Sequence, residues 1–227
     1  MPNLRIGSIW SVPIYLHWSM LFLVSLAVVG GPASVPAILI MLGSLLAHEL
    51  GHVRMAQKLN YPVNRILFMV FGGLAYILLP KNINPRHSFK IAIAGPAASA
   101  TLSILGLMLM PILDVSYTNL LRPETYWPAK LAWEQLLVFF TVLNIITAIA
   151  NMIPIHPLDG GRVYLSLIRM RGATMLSAEK WVGITGMICG TCIMIFAITI
   201  AYYLIAIIAG AGVWTSYKLY RKHNENH

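Results

Sequence analysis

Three polar residues stand in a stretch that is otherwise apolar, in the order His48-Glu49-Leu50-Gly51-His52. On a helix the i, i+4 spacing brings both imidazoles to one face. Two ring nitrogens there can bind one Zn²⁺ at about 2.0–2.1 Å, and the glutamate between them can act as general base on a water polarised by the metal. That is the equipment of metal-assisted peptide hydrolysis. The motif alone arises by chance in soluble chains. Inside an apolar helix each ionisable group costs about 2.5–3.5 kcal/mol at the centre, so three polar groups at this spacing point to function. A polar packing cluster or a proton relay would not need the spacing.

A catalytic zinc takes three protein ligands and keeps a fourth position open. The best third candidate is Asp159, in Asn151-Met152-Ile153-Pro154-Ile155-His156-Pro157-Leu158-Asp159-Gly160-Gly161-Arg162. Among the seven acidic residues, Glu49 and Asp159 are the two set in apolar surroundings rather than in polar loops or tails. Pro154 and Pro157 disrupt a helix at this point, and the two glycines allow a sharp turn that aims Asp159 inward. The plainer roles for Asp159 are a helix cap or a partner for Arg162. His156 is a rival ligand of suitable chemistry.

These residues must be positioned by membrane helices. The chain has 227 residues, 58% hydrophobic and 10% charged, with a mean hydropathy of +0.74, where a soluble domain is roughly 25% charged. Uncharged apolar runs such as Ile14 to Val29 and Trp181 to Ile208 are long enough to cross a bilayer. Reading runs between breakers gives about six spans, near 13–30, 35–58, 89–112, 132–155, 180–198 and 200–217, with boundaries good to about 2–4 residues. The last two could also be one bent helix, since no clear breaker separates them at Tyr202-Tyr203. No cleavage site follows the N-terminus, so the first span is expected to stay.

The fold expected is an all-α membrane protein, one domain over residues 1–227, with a small β segment between the second and third helices. Tyr61 to Pro80 is apolar and partly β-branched but broken by Gly72-Gly73. It reads as a short strand motif or a re-entrant segment, tolerated at membrane depth where protein or a water-filled cavity satisfies its backbone.

The formal charge of +9 does not point to nucleic acid, because Lys and Arg are spread over membrane loops, where they set orientation. Arg5, the cluster from Arg54 to Lys90, the cluster from Arg162 to Lys180, and Lys218, Arg221 and Lys222 fall on one side. Arg122 and Lys130 fall on the other, beside Asp114, Glu124 and Glu134. Both termini are therefore expected in the cytoplasm. Cys189 and Cys192 share a helix face and read as small buried hydrophobes.

Depth agrees with a joint site. His48 lies about ten residues from Lys58, hence ~15 Å from the cytoplasmic end of its helix at 1.5 Å per residue, and Asp159 closes the fourth span on the same side.

The HELGH helix, the Phe71-Gly72-Gly73 segment, Gly95-Pro96-Ala97-Ala98-Ser99 and NMIPIHPLDGGR together resemble the site-2 protease family of intramembrane zinc metallopeptidases, over essentially the whole chain. The resemblance implies proteolysis of single-span membrane proteins, one Zn²⁺ held by His48, His52 and Asp159, and Asn151 as a polar active-site residue. It implies a strand edge at Gly72 and Gly73 that holds an unwound substrate. It also implies a prokaryotic cytoplasmic membrane, which the compact size suits. The chain departs from the usual motif in placing His156 where an apolar residue is common. It lacks the PDZ or CBS-type domains of many relatives, so regulation through such modules is not expected within it.

The bilayer is one partner; a homo-oligomer or a regulatory membrane partner is compatible with the sequence. Two other functions compete. A zinc or proton-coupled transporter would also place His, Asp and Glu in spans, but the chain shows no matched pair of broken helices. An idle relative that binds without cutting would usually have lost a ligand or the glutamate, and here all are present. His17 could line the site's cavity, although a hydrogen-bonded interfacial histidine is the simpler reading.

Overall fold

The computed structural model describes residues 3–31, 34–70, 72–80, 82–121 and 132–224. Phe71, Lys81, Arg122, Glu124 and Lys130 lie outside them. The chain divides into two compact units, Met1–Pro80 with Ala94–Ala148, and Lys81–Ile93 with Ile149–His227.

The first unit opens with a hairpin, β1 (Leu4–Ile9) and β2 (Val12–Leu16), followed by a single 3-10 turn and the short helix α1 (Leu21–Val29). The long helix α2 (Ser34–Lys58) carries the HELGH residues. A second hairpin follows, β3 (Val63–Met69) and β4 (Gly72–Ile77). The four strands form one sheet in the order β1-β2-β3-β4. β2 and β3 run parallel, with Ile14, Tyr15 and Leu16 opposite Ile66, Leu67 and Phe68; the outer pairs are antiparallel. Val12, Ile14, Ile66, Phe68 and Ala75 on the sheet pack with Ile38 and Val53 of α2 into one core.

The helix α3 (Pro85–Ile112) and α4 (Trp133–Ala150) enclose a second core of Met110, Val115, Val138 and Val142. Gly51 of α2 lets the backbone of α3 come close, because a Cβ there would meet the Ala94 carbonyl and, at 3.1 Å, the Ala98 methyl. Small residues at such crossings are how helices approach in an apolar solvent.

The second unit holds the start of α3, then α5 (Asp159–Met170), α6 (Met175–Thr199) and α7 (Tyr203–Asn224). Along α6, Gly183 and Gly190 face α7, where an added Cβ would meet Tyr220 at 2.9 Å and Val213 at 2.7 Å.

Two expectations need correction. The stretch 13–30 is not one spanning helix: its first residues are strand β2 and α1 has 9 residues, about 14 Å of helix against a hydrocarbon core of about 30 Å. Hydropathy missed this because it ignores period. Val12 and Ile14 are buried with Pro13 between them only partly so, the alternation of a strand. The sheet accordingly includes two strands from the N-terminal segment, where no strand was expected. Cys192 is exposed and Cys189 only partly buried, so the pair is not a buried one.

Among the described residues four helices, α2, α3, α4 and α6, are long and apolar enough to cross a membrane. α6 and α7 are separate helices, divided at Ile200 to Tyr202, where Ala201 has φ +60°. α7 matches the expected stretch 200–217 but runs on into Lys218 and Arg221. Leu39, Ile104, Met108 and Ile188 are exposed on the long helices, as suits residues facing lipid.

Candidate metal centre

The i, i+4 spacing on α2 does what it predicts. His48 and His52 are buried, and their Nε2 atoms lie 3.3 Å apart. Two nitrogens each about 2.0–2.1 Å from a tetrahedral zinc stand about 3.3–3.4 Å from one another, so the pair has the separation that one shared ion demands. Two neutral imidazoles could also sit this close by sharing a proton. A Cβ at Gly95 of α3 would overlap His52 Nε2 and stand 2.7 Å from His48 Nε2, so the absence of a side chain there is what lets both rings keep this approach. The donor set and this cradle fit Zn²⁺.

The ring of His48 is oriented from behind. Its Nδ1 is 3.0 Å from the Oγ of Ser99, which is fully buried. A hydrogen bond at Nδ1 fixes the ring and directs Nε2 to the metal side. Gly95 and Ser99 are themselves i, i+4 on α3, so the glycine cradle and the supporting hydroxyl share one helix face. The sequence motif Gly95-Pro96-Ala97-Ala98-Ser99 carries that signal in its spacing.

Glu49 is buried on the sheet side of α2. Its Oε2 accepts the backbone N–H of Ala75 at 2.8 Å. Gly73 makes room for it: a Cβ there would stand 2.7 Å from Glu49 Cγ and 3.1 Å from Oε1. Gly72 serves a different need, the φ of +148° at the β3–β4 turn, which L-residues rarely adopt. Of the two glycines expected to form a strand edge, Gly73 is therefore packed against the glutamate and Gly72 shapes the turn.

In the second unit Asp159 is buried and is the first residue of α5, where the helix dipole favours a carboxylate. The expected sharp turn at the glycines is instead helical. Gly160 and Gly161 allow α5 to start against the preceding loop, since Cβ atoms there would meet the backbone of Met152, Ile153 and Ile155. The Gly160 N–H donates to the Asn151 carbonyl at 2.5 Å, so Asn151 and Asp159 are held at the two ends of one closed loop. His156 lies within that loop, its carbonyl accepting from Thr215 Oγ1. Burial, and then the nearby Arg162, push the His156 imidazole below its ordinary value, partly offset by Glu179. Glu179 is a buried acid as well, which the sequence had assigned to polar surroundings.

His17 caps the 3-10 turn: its Nδ1 accepts the Ser19 N–H at 3.2 Å and lies 2.9 Å from Ser19 Oγ. This is the hydrogen-bonded histidine of the simpler reading. Further along α2, Ser44 accepts from Asn144 Nδ2 at 2.9 Å, one helical turn from His48. Both are buried, and neither stood out in the sequence because Ser and Asn are common at helix crossings.

A zinc metalloprotease of Methanocaldococcus jannaschii is 27% identical over 182 residues, 78% of this chain and 49% of that one. A Synechocystis protein provisionally named a zinc metalloprotease is 30% identical over 182 residues, 73% of this chain and 44% of that one. The chain thus spans about half the length of the curated relatives it matches. The solved structure of a site-2 protease from Methanocaldococcus jannaschii superposes with a TM-score of 0.66, covering 96% of this chain and 95% of that one at 20% identity. With the four long apolar helices, these likenesses describe an integral membrane protein of the same fold. The model of peptidase family M50 matches residues 36–123 and 123–197, most of the chain, and the protein belongs to that family, the site-2 proteases.

Proposed function

We propose that the protein is an intramembrane zinc endopeptidase that hydrolyses peptide bonds in or near the transmembrane segment of single-span membrane proteins. The observation that carries this reading is the 3.3 Å approach of His48 and His52 Nε2 across a cradle that a side chain at Gly95 would fill. Asp159, a buried carboxylate in the family's second motif, is the third ligand. Zinc bound there supplies Lewis-acid polarisation of the scissile carbonyl and of the attacking water.

The protein's own groups do the rest. Glu49 takes a proton from the water and passes it to the leaving amide nitrogen, without a covalent intermediate. The N–H of Ala75 holds Oε2 of Glu49 and so orients the carboxylate that receives the proton. Gly73 keeps the base seated by offering no side chain to push it away. Asn151 acts as a polar support for the extended substrate or its developing oxyanion. A helical substrate must unwind before its amides are accessible, and strand addition along β4 replaces the hydrogen bonds it loses. Clusters of Lys and Arg support cytoplasmic termini, and with that orientation water and cleavage are expected towards the cytoplasmic side of the membrane.

The test uses purified, detergent-solubilised protein and a fluorescently tagged single-span substrate. Cleavage should stop on zinc chelation, return on back-titration with Zn²⁺, and be absent in Glu49→Gln and Asp159→Ala. Zinc binding without cleavage of a broad substrate panel, together with Zn²⁺ movement across proteoliposomes, would replace the protease by the transporter.

A further inference from the structure

The outer edge of β4 and the glutamate of α2 form one device. β4 ends the sheet order, so its outer side has no strand partner among the described residues. The Leu78 N–H donates to the Pro62 carbonyl at 2.9 Å, and alternation turns the N–H groups of Leu74 and Tyr76 the same way, towards β3. Those of Gly73, Ala75 and Ile77 then face outwards. The Ala75 N–H confirms the parity by donating to Glu49 Oε2 at 2.8 Å.

We propose that Glu49 replaces one rung of the ladder that a substrate strand would form on β4, and that this missing rung, at Ala75, selects the peptide to be cut. The inference rests on the protease reading above. A strand adding to this edge would place a carbonyl oxygen about 2.9 Å from the Ala75 nitrogen, the position that Oε2 already fills. Glu49 is not loosely placed there. Its Cγ and Oε1 stand 2.7 and 3.1 Å from where a Cβ of Gly73 would be, so the side chain lies against β4 between two residues whose N–H groups face outwards. Flanking it on α2 are His48 and His52. A substrate pairing with Gly73 on one side must therefore leave the carbonyl opposite Ala75 without its strand partner. That carbonyl is the one brought beside the glutamate and the two histidines. Gly73 is a substrate-pairing position and Ala75 a positioning residue for the base, which makes the cleavage site a matter of register.

Removing single N–H groups tests this without adding bulk. Replacing Ala75 by lactic acid, or Gly73 by glycolic acid, turns one amide into an ester on an edge where no sheet hydrogen bond is lost. With Ala75 esterified, kcat should fall about tenfold at an unchanged KM, the effect of losing one charge-assisted hydrogen bond to the base. With Gly73 esterified, KM should rise about fivefold at an unchanged kcat. A second readout needs neither metal nor substrate. In Glu49→Ala the Ala75 amide should exchange with deuterium at least about tenfold faster than in the parent protein, while Leu74 and Tyr76 keep their protection. If the Ala75 ester instead raises KM as the Gly73 ester does, the substrate uses that rung and the proposal fails. Unchanged Ala75 exchange in Glu49→Ala would remove its premise. A parent protein that binds zinc but cuts nothing removes the protease reading, and the register with it, whatever the exchange data give.

Discussion

Gly95→Ala should abolish tight zinc binding while leaving the protein folded. The ideal Cβ overlaps His52 Nε2 and stands 2.7 Å from His48 Nε2, whereas carbon contacts normally begin near 3.5 Å. At least one imidazole must therefore swing out, and the two nitrogens then lose the 3.3 Å separation that a shared ion requires. Perturbing only the groups behind a ligand typically costs 10–100-fold in affinity, so losing a ligand's position should cost at least about 100-fold, or about 2.7 kcal/mol. The clash is with two side-chain ends, not with backbone, and alanine is favoured over glycine within a helix by about 0.8–1 kcal/mol. Metal-free Gly95→Ala should consequently melt at or slightly above the parent's temperature, and only the zinc-dependent rise in Tm should vanish. Competition with a chromophoric chelator measures the affinity. Gly43→Ala on α2, where nothing lies within 4 Å of the new Cβ, is the control and should bind zinc normally. Parent-like zinc affinity in Gly95→Ala would refute the placement of the metal between the two histidines.

Three further expectations concern polar side chains within each of the two units. Ser99→Ala removes the hydroxyl 3.0 Å from His48 Nδ1 and should weaken zinc binding about 10–100-fold, read by the same competition; Ser99→Thr, which keeps a hydroxyl, should bind more tightly than Ser99→Ala. Ser44→Ala breaks a buried hydrogen bond to Asn144 and should cost about 0.6–1.7 kcal/mol of stability in detergent, with the zinc affinity of the surviving folded protein unchanged. His156 is held below its ordinary value by burial and by Arg162. The unfolded chain therefore takes up the proton first as pH falls, and the stability His156 contributes is complete above about pH 6.5 and is lost as pH drops through its folded value. Melting curves from pH 8 to 5 should show a smaller acid loss in His156→Gln than in the parent; equal slopes would assign the loss to other groups.

What the sequence made legible was the part encoded by charge in an apolar setting. His48, Glu49, His52 and Asp159 stood out as ionisable groups in apolar surroundings, where burial is costly, and all four are buried. The strands of residues 63–77 were legible through β-branching and the glycine break. The N-terminal hairpin was not, because uncharged residues 14–29 satisfy a hydropathy window whether they form a strand, a turn and a short helix or one long helix. α5 was missed for the opposite reason: Gly160 and Gly161 suggest a turn by propensity, and only the close backbone of Met152 and Ile153 shows that glycine is there to permit a helix start.

The same distinction explains why half of the site was invisible. Ligands and bases are chosen by what their atoms can donate, and residue type records that directly. The residues that bring those atoms together are chosen by what they lack. Gly51 admits the backbone of α3, Gly95 leaves room for the imidazoles of His48 and His52, and Gly73 leaves the volume that Glu49 fills. The meaning of each depends on a neighbour from another element, which no local pattern carries. The contact at Ala75 is further removed still, since it uses a backbone N–H that every residue but proline has. What distinguishes it is its place on the outer edge of the last strand, opposite the one glutamate in α2. A site of this kind is specified by three helical and sheet spacings acting together: i, i+4 on α2 for the nitrogens, i, i+4 on α3 for Gly95 and Ser99, and i, i+2 on β4 for Gly73 and Ala75. Shifting α3 by one residue would turn the Gly95 and Ser99 face away from the histidines, and shifting β4 by one would turn the Ala75 N–H away from Glu49. Register, more than residue identity, is what the fold supplies to the chemistry.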